Sequence, residues 1–143
     1  PCPKEGGWEK AYEPESSQDL AAVYTLPGGG EARWREHKGD HVGLSGGDWL
    51  VAYGLTQVWS PRPRKVACFI GKDDALKIWC NDAVAFDQNT WSHATHDQFY
   101  CTLDLREGWN KVLVKCANWF GGWGFALRLG DPDQKLRFAR RGE

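Results

Sequence analysis

Apolar and polar residues alternate with a period of two through most of the chain after residue 48. Because successive side chains of a β-strand point to opposite faces, this period is typical of strands that bury one face. The alternating segments are residues 51–59, 66–70, 76–80, 99–105, 112–116 and 123–129. No long helical stripe of apolar residues accompanies them, and only residues 16–24 (SSQDLAAVY) are expected to form one helical turn.

Turn-forming residues separate the predicted strands. They occur at residues 60–64, 71–74, 81–82, 106–108 and 121–122, where Pro, Gly, Asn and Asp favour tight turns and hairpins. Many short strands without intervening helices predict an all-β fold, a single-domain antiparallel β-sandwich. We expect residues 1–130 to form this sandwich, with one strand near residues 32–36 of a Gly-rich segment, and residues 131–143 to form a polar tail or linker.

The composition limits the functions that the chain can have. Its 143 residues carry a net charge of −1, so no overall charge favours nucleic acid or an anionic membrane surface. No apolar run approaches the roughly 18 residues of a transmembrane helix. The chain has nine Trp and no Met, even at position 1. We therefore expect a monomeric piece of a longer polypeptide, in which some indoles face solvent or a ligand.

Four of the five cysteines lie on the apolar side of their predicted strands. Free thiols are often buried there, because they behave as small hydrophobic groups. Neighbouring strands also leave open one disulfide between two of these four, which are Cys68, Cys80, Cys101 and Cys116. No CxxC pair or Cys–His spacing predicts a zinc site. The fifth, Cys2, is expected to be free or to pair outside this segment.

Most known catalytic motifs are absent from the sequence. It contains no HExxH, GxxxxGK[ST] or GxGxxG, which are the patterns of common metalloprotease, phosphate and dinucleotide sites. One GxSxG match, GLSGG at residues 43–47, lies in the Gly-rich segment, where no helix is predicted to follow as the nucleophile turn of a hydrolase requires. His93 and His96 lie three residues apart, near Asp87 and Asp97. This spacing leaves open a metal site or simply a solvated polar loop. A small enzyme is therefore the least favoured functional class.

Two tryptophans lie in segments predicted as polar loops. Trp91 lies within residues 87–97 (DQNTWSHATHD), and Trp119 follows the strand predicted to end at residue 116. An exposed indole lowers stability unless it covers or binds something, and the flat C–H face of a sugar ring can stack on an indole. We therefore predict that Trp91 and Trp119 are stacking platforms for sugar. Their predicted polar partners are Asn89, His93, Asp97 and Asn118.

Other interpretations of the aromatic residues stay open. Packing inside the domain is the alternative for Trp91 and Trp119, and Trp79 beside Lys77 is the next candidate for a sugar platform. Four further tryptophans are predicted to pack in the core or on a strand: Trp49, Trp59, Trp109 and Trp123. Five residues are predicted to be largely buried: Leu103, Trp109, Val114, Trp123 and Phe125.

Several short motifs after residue 48 occur in a familiar order. They are AY (52–53), SP (60–61), GKDDALKIWCND (71–82), HDQ (96–98), REGWNKVLVKC (106–116) and GGWGFALRL (121–129). In this order they resemble the β-sandwich accessory modules that are attached to bacterial polysaccharide-degrading and cell-surface proteins. The resemblance covers residues 49–130 well and the first 48 residues only loosely.

The resemblance implies a jelly-roll or galactose-binding-like sandwich that acts as a non-catalytic carbohydrate-binding module. Such a module targets an attached enzyme or surface protein to a polysaccharide or oligosaccharide. The implied location is extracellular, periplasmic or on the cell surface, and the implied partners include the other domains of the parent polypeptide. The alternative is a protein–protein interaction or structural domain of a larger extracellular protein.

The motifs are also similar to those of protective-antigen-type sandwich domains, in which a double Asp helps to hold calcium beside a sugar. One structural calcium at Asp73 and Asp74 is the corresponding expectation, and the alternative is that both carboxylates accept backbone N–H groups of a turn. The chain departs from the usual pattern at Ala75, which replaces a Gly. It also carries Trp119 and Phe120 where the pattern is Gly-rich, which suggests a ligand surface of its own.

Overall fold

The alternating segments form strands that pair in antiparallel sheets. The computed structural model describes residues 7–26 and 28–139, so Cys2 lies outside the described residues. The elements are α1 (Glu13–Ser16), β1 (Val23–Thr25), β2 (Glu31–Arg33), β3 (His41–Leu44), β4 (Val51–Ser60), β5 (Arg64–Asp73), β6 (Ala75–Cys80), β7 (Ala83–Gln88), β8 (Phe99–Leu105), β9 (Gly108–Ala117), β10 (Trp123–Leu129) and β11 (Arg137–Ala139).

Two sheets pack face to face. The four-stranded sheet has the order β3-β10-β5-β8, and the five-stranded sheet has the order β11-β4-β9-β6-β7. A separate two-stranded ribbon joins β1 to β2. The predicted all-β antiparallel sandwich is therefore confirmed. Strands β3 to β10 pass repeatedly between the sheets, which is compatible with the jelly-roll connectivity, and that finer topology stays a prediction.

The core lies between the sheets and contains most of the residues predicted for it. Leu103, Val114, Trp123 and Phe125 are buried there. Gly54 of β4 makes room for the Phe125 ring, since a Cβ at that position would lie 2.9 Å from the ring carbon Cζ. Close packing of this kind is what gives a sandwich core its density.

Trp109 differs from the prediction, because it is only partly buried and lies outside the core. It pairs with Trp59 across β9 and β4, and both rings lie on the outer face of the five-stranded sheet. The Arg137 guanidinium lies 4.0 Å from the centre of the Trp59 ring and 5.9 Å from that of Trp109. A cation over two indoles is a favourable arrangement at a surface, so these rings are covered by a charged residue.

The apolar side chains at alternate positions of β4, which include Val51 and Tyr53, also point away from the core. Val51 packs on the outer face with the buried Trp8, and Tyr53 contacts Glu15, whereas Val58 is the β4 residue that is buried in the core. The outer face of this strand is apolar because the N-terminal segment covers it.

The N-terminal half differs locally from its prediction. The helix occupies Glu13–Ser16 instead of residues 16–24, with Pro14 in its first turn, where the fixed φ of proline suits a helix start. Residues 23–25 form β1, and the strand expected near residues 32–36 is β2 at Glu31–Arg33. Strand β3 was not predicted, and it is held by pairing with β10.

Part of the expected tail belongs to a sheet. Strand β11 pairs with β4, and Leu136 is 8% exposed in the core. The basic residues of this segment predict a polar tail, although three of its residues form a strand. The charged Arg137 of that strand lies over the two indoles of Trp59 and Trp109. Residues 140–143 lie outside the described part of the chain.

Candidate functional site

Three loops meet at one end of the sandwich. The loop of residues 45–50 contacts that of residues 118–122, because the Trp49 N–H donates to the Trp119 carbonyl at 3.2 Å and the Asn118 N–H donates to the Leu50 carbonyl at 2.9 Å. The third loop spans residues 89–98. The surface formed by residues 45–50, 89–93 and 118–122 is called here the three-loop surface.

Asp74 joins the two loops that carry the predicted sugar platforms. This residue follows the end of β5 and is 1% exposed. One of its carboxylate oxygens accepts the Trp119 N–H at 2.8 Å, and the other accepts the Ser92 N–H at 3.5 Å. The segments around Trp91 and Trp119 therefore lie together.

Lys72 fixes the same region from within the sandwich. It is fully buried, and its Nζ donates to the Asp74 carbonyl at 3.0 Å and to the carbonyl and hydroxyl of Thr90 at 2.9 and 3.0 Å. Burial lowers the pKa of this ammonium group. The residues Lys72, Asp74, Thr90, Ser92 and Trp119 are called the Asp74 cluster.

Gly71 lets the loop of residues 89–98 lie directly on the sheet. A Cβ at this β5 position would collide with the backbone carbonyl of Thr95. The loop is therefore held by close backbone contact as well as by the Asp74 cluster. Trp91 is presented on an ordered surface as a result.

Trp91 is 51% exposed, and its ring meets that of His93 edge-on, with the centroids 4.6 Å apart. The Nδ1 of His93 lies 4.0 Å from a carboxylate oxygen of Asp73. Burial and the neighbouring Asp74 carboxylate raise the pKa of Asp73, while His93 opposes this shift. Asn89 is half-buried, and its side-chain oxygen has no hydrogen-bond partner among the described residues. An indole, an imidazole and a carboxylate thus lie close together at the surface.

Trp119 and Asn118 are more enclosed than predicted. Trp119 is half-buried against Trp8 and Val51, and its indole nitrogen is enclosed. Asn118 is completely buried, and its amide donates to the carbonyls of Gly47 and Gly121 at 2.9 and 3.3 Å. Asn118 therefore positions the loops instead of facing a ligand.

Two predicted site residues lie elsewhere. Asp97 pairs with Arg128 at 2.8 Å, and this Arg lies 4.3 Å above the Phe69 ring on the outer face of the four-stranded sheet. Trp79 lies on the outer face of the five-stranded sheet, with the Lys77 ammonium 5.2 Å from its ring centre. Neither residue belongs to the three-loop surface.

Two further aromatic rings are exposed on the three-loop surface. Phe120 is 58% exposed and Trp49 is 36% exposed, although Trp49 was predicted to pack. The position of both residues in the sequence is the signal for exposure, since Phe120 directly precedes Gly121 and Gly122, and Trp49 follows Gly46 and Gly47 by one further residue. Trp49 adopts a left-handed φ of 59°, which is uncommon for a large residue.

The residues present do not fit a calcium site at Asp73 and Asp74. Both oxygens of Asp74 accept backbone N–H groups of two other loops, whereas the alternative interpretation expected both carboxylates to accept N–H groups of the turn. In residues 7–26 and 28–139, no three His, Cys, Asp or Glu side chains converge to hold a metal ion, whereas calcium takes 6–8 oxygen ligands. The calcium expectation stays a prediction without a supporting donor set.

Comparisons with known proteins give no match. Neither protein-family models, curated protein sequences nor solved structures show significant similarity to this chain. Within the described part of the chain, no helix combines the length and apolar character needed to cross a membrane. The function must therefore be argued from the geometry of the site.

Proposed function

We propose that this chain is a non-catalytic carbohydrate-binding module whose ligand site is the three-loop surface. The observation that carries the proposal is the link made by Asp74. It holds the exposed Trp91 beside the loop that presents Phe120. Two exposed aromatic rings on fixed neighbouring loops suit a sugar chain, which offers flat C–H faces at regular intervals.

The polar groups around Trp91 suit a neutral sugar. His93 can donate and accept hydrogen bonds, and Asp73 can accept them from sugar hydroxyls. Lys72 is the cation nearest to these groups in the Asp74 cluster, and its ammonium group is already committed to Thr90 and the Asp74 carbonyl. The site therefore presents acceptors and an imidazole, and it favours hydroxyl-rich ligands over polyanions.

The fixed loops reduce the entropic cost of binding. The Asp74 cluster orders the backbone on both sides of Trp91 before a ligand arrives, and pre-organisation of this kind raises affinity. A module of this type keeps an attached enzyme or surface protein near polysaccharide by raising its effective concentration. This role places the domain outside the cell or on its surface.

Affinity electrophoresis with soluble glucans, xylans, mannans and galactans tests the proposal. Stacking on an aromatic ring is worth about 1–3 kcal/mol, so Trp91→Ala is expected to weaken binding by roughly 5- to 150-fold. Phe120→Ala is expected to weaken it less, because a phenyl ring offers a smaller face. The matched control is Tyr100→Ala, which removes a 76% exposed ring from β8, away from the three-loop surface.

Retardation of Trp91→Ala equal to that of the parent would place the site elsewhere. Trp79 is then the next candidate. A further surface is the open cleft of about 2160 Å³ that is lined by the β1–β2 ribbon and by the inner faces of β3 and β4.

A protein–protein interaction or structural domain is the second candidate function. The partly exposed Trp59 and Trp109 beneath Arg137 favour it, because aromatic residues and Arg are enriched at interfaces. Strong self-association in analytical ultracentrifugation, without a response to any polysaccharide, would support this candidate over sugar binding.

A further inference from the structure

We propose that Cys68 and Cys101 form an intramolecular disulfide when the reduced domain meets a disulfide oxidant, for which glutathione disulfide is the probe. The two residues lie directly opposite each other in the antiparallel pair of β5 and β8. Both are free thiols in the structure, and each thiol shifts the pKa of the other. The strand pairing places the two side chains next to each other.

The strand register satisfies the geometric requirement for the bond. Opposite residues of an antiparallel pair have Cα atoms about 4.5 or 5.5 Å apart, and a disulfide needs about 4.4–6.8 Å. Strand β8 lies at the edge of its sheet, so it can adjust slightly without disturbing a second partner strand.

The two thiols are suited to different steps. Cys101 is partly exposed, whereas Cys68 is completely buried, so an oxidant reaches Cys101 first. The hydrogen bond from Cys68 lowers the pKa of Cys101, and the same contact together with burial raises that of Cys68. Cys101 is therefore the attacking thiolate, and Cys68 is the resolving thiol.

The reaction balances as two thiol–disulfide exchanges. The Cys101 sulfur attacks one sulfur of glutathione disulfide, the S–S bond breaks, and one glutathione thiolate leaves. The Cys68 sulfur then attacks the Cys101 sulfur, its proton passes to the glutathione sulfur that leaves, and the second glutathione is released. Two protein thiols are oxidised and one glutathione disulfide is reduced to two glutathione molecules. Extracellular compartments, where the proposed function places the domain, are oxidising.

Cys80 and Cys116 are the other described thiols with which Cys68 or Cys101 could form a disulfide. Cys80 of β6 lies near both Cys68 and Cys101, but it belongs to the opposite sheet, where its thiol contacts the Asp104 carbonyl at 3.6 Å. The thiol of Cys116 contacts the carbonyls of Asp73 and Gly124. A bond to either residue would have to cross the core.

Peptide mapping of the whole chain after oxidation tests the proposal. The reduced protein is incubated with glutathione disulfide at pH 8, quenched in acid, alkylated under denaturing conditions and digested. The five thiols of the chain are expected to fall to three, with one cross-linked peptide joining Cys68 to Cys101. Full alkylation of both residues, a link that contains Cys2, Cys80 or Cys116, or arrest at a glutathione adduct would overturn it.

Serine variants distinguish the attacking thiol, Cys101, from the resolving thiol, Cys68. Cys68→Ser is expected to stop at a mixed disulfide on Cys101, and Cys101→Ser is expected to give no adduct on Cys68 in the folded protein. Cys80→Ser is the matched control, because it removes a neighbouring thiol and should leave the Cys68–Cys101 link unchanged. The mapping of the parent chain decides the question even where a variant fails to fold.

Discussion

Two buried lysines hold two different parts of the molecule. Lys115 lies on the outer face of the five-stranded sheet, where its Nζ contacts the carbonyls of Trp8 and Lys10 at 2.8 Å each and the Glu15 carboxylate at 2.9 Å. Lys72 lies between the sheets, where its Nζ contacts carbonyl and hydroxyl oxygens of Asp74 and Thr90. One lysine fastens the N-terminal segment, and the other fastens the candidate site.

The difference between them lies in their charged partners. Lys115 has a carboxylate within hydrogen-bond distance and the rings of Trp8, Tyr12 and Tyr53 within 6.0 Å. Among the described residues, the Lys72 ammonium group donates only to neutral acceptors, while the Asp74 carboxylate accepts from backbone N–H groups. Removing one partner of a buried ion pair is strongly destabilising, because it leaves the other charge buried and unpaired. Lys115 therefore serves mainly stability, and Lys72 mainly the position of a loop.

The largest expected effect is that of Lys115→Met. The change leaves the Glu15 carboxylate and two carbonyls without their cation, so it should lower the free energy of unfolding by about 3–5 kcal/mol. Urea unfolding at pH 7 measures it. The matched control is Lys65→Met, whose exposed ion pair with Asp104 should be worth about 0–1 kcal/mol. Equal losses in the two variants would contradict the contrast drawn here.

The sequence predicts the local strand pattern but not the long-range contacts of the buried lysines. Alternation located the long strands because each buries one face over several residues, as in β5 and β8. It also located β4, but it did not identify the buried face of that strand, because the outward-facing side chains are apolar as well and are covered by the N-terminal segment. The contact between Trp8 and Lys115 joins residues that are 107 positions apart, and no local pattern carries such information.

The candidate site was predictable only in part. The polar loops with Trp91 and Trp119 follow from local composition, and the structure joins them through Asp74. The roles of the neighbouring polar residues depend on side-chain direction, which composition does not give. Asn118 therefore turns inward to hold two loops, and Asp97 leaves the site for Arg128.

The next largest effect is expected at Asp74. Asp74→Ala removes an ionised acceptor from the Trp119 and Ser92 N–H groups, and bonds to such acceptors contribute about 1.5–3 kcal/mol each. Because the Ser92 bond is long, at 3.5 Å, it should contribute little, and we expect a loss of about 2–3 kcal/mol. Binding to polysaccharide should weaken as well, because the two loops lose their link. Asp104→Ala serves as the control, since the Asp104 side chain is 75% exposed in its pair with Lys65. Parent-like binding by Asp74→Ala would show that the link does not position the ligand site.

A smaller effect, with a distinct pH dependence, is expected for Lys72→Met. At pH 7 the change leaves two carbonyls without a donor, at a cost of about 1–3 kcal/mol, but it also removes the cost of burying a charge. Because burial lowers the pKa of Lys72 below 10.5, the unfolded chain binds more protons in the alkaline range up to that value. The contribution of Lys72 to stability therefore rises with pH through this window.

Urea unfolding of the parent and Lys72→Met between pH 8 and pH 10.5 checks whether the contribution of Lys72 to stability rises or falls with pH. The parent should gain stability relative to the variant as the pH rises. Tyr53, whose pKa is raised by burial and by its bond to Glu15, titrates with the opposite sign in both proteins and so cancels in the difference. A difference that stays constant or narrows over this range would contradict the assignment of Lys72 as a buried ammonium group.

The smallest expected effect is that of removing calcium. In the Asp74 cluster the carboxylate is already paired with two N–H groups, and the nearby carbonyls are already paired with the Lys72 ammonium group, so the cationic role that a metal would fill is taken by the protein itself. We expect Tm to be the same in EDTA and in millimolar calcium, for the parent and for Asp73→Asn alike. A rise in Tm with calcium that Asp73→Asn abolishes would show instead that this carboxylate binds the ion, and that the candidate site is held by a metal as well as by a lysine.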